Sequence, residues 1–121
     1  MRRKYILLGQ VRGGKNAIRT TKEGRRYPSK VFARWAQDAI NQIREQDTIK
    51  NTITIPLGIS LDYIPGDNRI RDIPAILDAV FHALEGAEIV ESDGQFRRIG
   101  HYCQHPPNRD QPMVIVELFS Y

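Results

Sequence analysis

The sequence predicts a single α+β domain: a mixed or antiparallel sheet of about four strands carrying two helices. Three observations lead there. The chain has 121 residues, 40% of them hydrophobic, enough for one core and too few for two. Two stretches, 29–45 and 72–86, repeat apolar residues at helical spacing. Four others, 5–8, 57–64, 96–102 and 113–119, read as strands and are interleaved with the helices rather than set apart, giving the order β, loop, α, β, α, β, β.

Tyr5 to Leu8 is a short apolar run between Arg2-Arg3-Lys4 and Gly9, and it makes a first strand. No period holds from Gly9 to Pro28, where Gly13-Gly14-Lys15 and Lys22-Glu23-Gly24-Arg25-Arg26 suit a loop or loose hairpin. Ser29 caps a predicted helix to about residue 45, with Phe32, Trp35, Ala39, Ile40 and Ile43 on one face. Trp35 lies in line with that stripe, which favours a core role over a platform for stacking bases. Ile59, Leu61 and Tyr63 then alternate in a half-buried strand, with Pro56 marking its start. The turn Pro65-Gly66-Asp67-Asn68 leads to a second helix, capped by Asp72 and closed by Gly86, whose stripe is Ile73, Ile76, Leu77, Val80, Phe81 and Leu84. The last strand is very apolar and follows a Pro- and Asn-rich loop, 106–112.

No apolar run approaches the roughly 18 residues of a membrane span, and the N-terminus lacks a signal-like apolar core. A cytoplasmic location is expected, and a single cysteine, Cys103, suits a reducing compartment. The formal net charge of +4 is unevenly spread. Residues 1–34 hold eleven Lys and Arg against one acid, and the remainder holds seven against thirteen, so a +10 segment precedes a −6 body. Such segregation suits a polyanion held by one part and an acid-rich, metal-binding centre in the other, although two solvated charge sets explain it equally well.

Two groups of residues have ligand chemistry. Asp72 and Asp93 flank the second helix, and a reversal of the chain after that helix would bring them together as a divalent-metal pair. Each alone is an ordinary cap or turn residue. His101, Cys103 and His105 alternate, so they share one face of a strand, a pattern able to bind Zn²⁺. No fourth ligand lies nearby in sequence, and strand alternation explains them without a metal. No serine or cysteine nucleophile has a recognisable partner, and no dinucleotide-binding fingerprint is present.

Taken in order, these signals resemble the RusA-type Holliday junction resolvases and their phage-encoded relatives over most of the chain. Gly9, Lys15, Arg19 and Lys22-Glu23-Gly24-Arg25-Arg26-Tyr27 are similar to that family's basic loop. Arg71-Asp72, the helix through Phe81-His82-Ala83-Leu84, the Gly86 break and Asp93-Gly94-Gln95 resemble its metal-binding core. Three positions depart from the family pattern: Pro74 replaces its second aspartate, Asp78 its lysine, and Ser92 the first acid of its acidic turn. Pro74 suits a first helical turn, whose amides have no helical partner. Asp78 lies about 40° from it on the helical wheel, on nearly the same side.

The resemblance implies a Mg²⁺-dependent endonuclease, with Mn²⁺ as a substitute ion, that cuts four-way DNA junctions in recombination and repair as a homodimer. On that expectation Asp72, Asp93 and Asp78 hold the metal, and Arg71 steadies the phosphate. Lys15, Arg19, Lys22, Arg25, Arg26 and Arg69 hold the DNA backbone. The arginines at 69 and 71 are equally suited to pairing with Asp67 and Glu91. A rival expectation keeps the fold and the branched DNA but loses catalysis through Pro74 and Asp78. A third has the basic segment meeting an acidic protein instead of DNA.

Overall fold

Strand β4 (Leu57–Ile64) is the one on which the sheet is built, because Leu57, Ile59, Leu61 and Tyr63 are all fully buried on one of its faces. The computed structural model describes residues 1–12, 18–20 and 26–121. Along the chain lie β1 (Arg2–Leu8), β2 (Ile18–Thr20), β3 (Arg26–Pro28), α1 (Lys30–Gln46), β4, α2 (Ile73–Gly86), a short 3₁₀ turn (Asp93–Gln95), β5 (Phe96–Gln104) and β6 (Met113–Ser120). The result is the predicted α+β domain: two helices and a four-stranded mixed sheet in the order β1-β6-β4-β5, with β2 and β3 forming a separate antiparallel pair.

Strand β6 is antiparallel to both β1 and β4, whereas β4 and β5 are parallel. A parallel pair needs a crossover, and α2 supplies it. The helices cover one face of the sheet. From α1 come Phe32, Trp35, Ala36, Ala39 and Ile43, and from α2 Ile76, Leu77, Ala79, Val80, Ala83 and Leu84. They meet Tyr5, Leu7, Val114, Val116 and Leu118 from the strands. Trp35 is in that core, as its place in the stripe predicted.

Three local expectations are corrected. Ile73, expected in the apolar stripe of α2, is exposed, because the helix meets the sheet only from Ile76 onward. Ser29 and Asp72 occupy the N-cap positions, yet neither side chain makes a capping hydrogen bond. Gly86 is the last helical residue rather than the one beyond it. A Cβ there would lie 2.5 Å from Ile40 Cδ1, so its smallness admits α1, and the positive φ of the turn falls on Glu88 instead.

Candidate functional site

The acids singled out in the sequence do not gather within one chain. Asp72 stands at the start of α2, just beyond the C-terminal end of β4. After α2 the chain is pinned beside Ile53, whose amide donates to Ile89 O at 2.8 Å, and then enters β5 in parallel register, Phe96 opposite Leu57. Asp93 therefore sits at the other end of the sheet. Its amide donates to Glu85 Oε1, near the C-terminal end of α2, at 2.5 Å. The length of α2 separates the two acids, roughly 20 Å at 1.5 Å per residue. The expected convergence is thus corrected: the chain does reverse after α2, as a crossover between parallel strands requires, but Asp93 lies in that turn, at the opposite end of the helix from Asp72, and only an antiparallel β5, entered from the other end, would bring the two together.

Asp78 is part-way along α2 and half-buried, while Asp72 and Asp93 are exposed. Among the described residues none of the three enters an ion pair, nor do they form a group close enough to share a cation. Mg²⁺ asks for carboxylates converging within one coordination shell, so a single chain does not fit it here.

Arg71 is committed elsewhere. Its two terminal nitrogens donate to both carboxylate oxygens of Asp67, at 2.7 and 3.0 Å, a fork-to-fork pair that holds the Asp67 pKa down at about 2. The Asp67 carboxylate in turn raises the pKa of Arg71. Of the two uses open to this arginine, the structure takes the pairing with Asp67. Arg69 is exposed, its Nε 4.0 Å from Asp67 Oδ2.

Gln95, matched to the resolvase motif, has a structural task. Its side-chain oxygen accepts from the amides of Glu91 and Ser92, and its side-chain nitrogen donates to Ile53 O and Ile55 O. Ser92 Oγ accepts from the Gly94 amide, so a capping box closes the turn and fixes Asp93 at its exposed tip. Of the expected DNA contacts, Lys15, Lys22 and Arg25 lie outside the described residues. The backbones of Arg19 and Arg26 fall in β2 and β3, paired directly with Tyr27 and Thr20 respectively.

A second constellation is assembled where the sequence showed only part of it. Asp62, on the face of β4 turned away from the helices, accepts or shares hydrogen bonds with His101 Nε2 at 3.0 Å and His105 Nε2 at 2.8 Å. Those two bonds, His105 first and His101 second, hold its pKa below the ordinary carboxylate value against the opposing effect of burial. Cys103 is the direct register partner of Asp62. Ligand atoms of Asp62, Cys103 and His105 lie within 4.8 Å of one another. The residue the sequence reading missed is Asp62, forty-one positions before Cys103, and no spacing rule reaches that far.

Compared with known proteins, the chain matches no family model and no curated sequence. No helix among the described residues is long and apolar enough to cross a membrane.

Proposed function

We propose that this protein is a divalent-cation-dependent endonuclease for branched DNA of the RusA type, acting as a symmetric dimer whose two cation sites each take Asp72 from one subunit and Asp93 of the partner subunit. One observation carries the dimeric form of this reading: the two acids matched to the resolvase motif are held at opposite ends of α2, exposed and without ion pairs among the described residues. Two copies laid head to tail about a two-fold axis bring each start of α2 to the partner's acidic turn and generate two equal sites. Ile70 and Ile73 flank Asp72 with their side chains in solvent, Ile70 at 98% exposure, and supply apolar surface for such a contact. A hard divalent cation there would supply a water of lowered pKa and charge compensation at the phosphate. Two opposed incisions in a two-fold junction call for two-fold related sites.

The test is incision of a labelled four-way junction with Mg²⁺ or Mn²⁺. Wild type nicks the junction, and Asp72→Asn and Asp93→Asn each lose on the order of a hundredfold. After subunit exchange, a mixture of the two variants recovers roughly a quarter of the wild-type sites, since each heterodimer rebuilds one. No recovery would show that the sites are not shared between chains.

A second reading is favoured by the commitment of Arg71 to Asp67, together with Pro74 and Asp78 at positions where the resolvases carry aspartate and lysine. It is a protein that holds branched DNA without cutting it. Junction binding with no incision in either metal would select it.

A further inference from the structure

We infer that Asp62, His101, Cys103 and His105 form a Zn²⁺ site that staples β5 to β4, independent of the acids around α2. The placement depends on the second of two irregularities in the parallel pair. Ile59 is opposite Ile99 but Leu61 is opposite Tyr102, so β5 carries one extra residue between them. Without it, His101 would face Leu61, and the three alternating donors would point into the apolar core beneath the helices. The bulge turns Tyr102 inward instead and sets His101, Cys103 and His105 on the Asp62 face.

The bulge is itself built for this place. The His101 amide donates to Ser60 Oγ at 3.2 Å, and Ser60 is one of only two buried polar residues among those described. Gly100 leaves the room for it, since a Cβ there would lie 2.4 Å from Ser60 Oγ and 3.0 Å from the Phe119 ring.

The donor set selects the ion. Two imidazoles, one thiolate and one carboxylate make a mixed nitrogen, sulfur and oxygen set typical of tetrahedral Zn²⁺, whereas Mg²⁺ and Ca²⁺ would find a single carboxylate. With both imidazoles neutral, the carboxylate and thiolate carry two negative charges and neutralise the ion. Ligand atoms around tetrahedral Zn²⁺ stand about 3.5 Å apart, and three of them here already lie within 4.8 Å of one another. His101 is outside that group of three, but its Nε2 is 3.0 Å from the second Asp62 oxygen, and in the proposed site it turns inward as the fourth ligand. Binding releases the Cys103 thiol proton to solvent, and each neutral imidazole moves the proton that its Nε2 donates to Asp62, through solvent, to Nδ1, which frees the Nε2 lone pair for the ion. Four protein ligands leave no open position, so the ion is structural, holding the free end of an edge strand.

The experiment is a Co²⁺ titration of chelator-treated full-length protein, followed by absorption. Wild type should show one equivalent of Co²⁺ developing the intense visible bands of a tetrahedral ion and a sulfur-to-metal charge-transfer band that Zn²⁺ abolishes, signals to which Co²⁺ held by oxygen and water at Asp72 and Asp93 would add little. Cys103→Ser should lose the charge-transfer band, and His105→Gln and Asp62→Asn should each weaken binding at least about tenfold. All three side chains are on the surface, and circular dichroism of the metal-free variants reports that the fold is kept. Asp72→Asn and Asp93→Asn should titrate as wild type, which separates this site from the proposed nuclease centre. Absence of tetrahedral bands, or unchanged titration of Cys103→Ser and His105→Gln, would overturn the assignment.

Discussion

Arg71 and Asp67 show how one residue pair decides what a basic side chain is free to do. The arginine follows a turn and precedes a helix, a position that suits phosphate binding equally well, but both of its terminal nitrogens already meet a carboxylate. A carboxyl-carbon NMR titration of Asp67 should have its midpoint at about 2, and in Arg71→Met it should move up toward the ordinary value of 3.8. The folded-state pKa is depressed, so the stabilisation is complete above about 3.8 and is lost as pH falls through about 2. Asp67 is well exposed, which keeps the pair's contribution to folding small. The converse variant, Asp67→Asn, frees the guanidinium. If Arg71 then holds phosphate, Asp67→Asn binds junction DNA more tightly than wild type, whereas unchanged affinity would leave this arginine a purely structural partner.

At the level of elements, α1 protects a sheet edge that would otherwise be open. Strand β1 pairs with β6 on one side only. On its other side, the Ile6 amide and carbonyl are met by the two ends of the Gln46 carboxamide, both at 2.7 Å. Gln42 does the same for Leu8, at 2.7 and 3.0 Å. Glutamines one helical turn apart thus stand in for a neighbouring strand, because i and i+4 on a helix match i and i+2 along an extended chain in spacing. Replacing Gln42 and Gln46 together by Leu leaves four backbone groups without these partners. A loss of about 1–3 kcal/mol in urea unfolding is expected, with concentration-dependent association seen by light scattering as the exposed edge recruits other copies. Stability and solubility equal to wild type would show that water serves the edge equally well.

Across the whole molecule, a +10 segment precedes a −6 body. Under the proposed function, the affinity for junction DNA falls steeply with salt, the slope of log K against log salt reaching about −4 to −5 if five side chains each neutralise a phosphate. Changing Lys15, Arg19, Lys22, Arg25 or Arg26 singly to Gln should reduce that slope by about 0.9 without altering preference for the junction. A salt-independent affinity, or none at low salt, would point instead to a protein partner for the basic segment.

The sequence by itself determined the class of fold, both helices and the four strands of the main sheet, because apolar periodicity reports which side of each element must leave water. Trp35 was legible for that reason. It also displayed the chemical types at hand: acids beside α2, and His101, Cys103 and His105 in alternation. What it left undecided was which of them meet. Strand direction is not written in a local pattern, and the parallel pairing of β4 with β5 sends Asp93 away from Asp72 while one inserted residue in β5 turns three donors toward Asp62. Long-range pairing and register set those distances, and they are fixed by the packing of the whole sheet rather than by any stretch of chain.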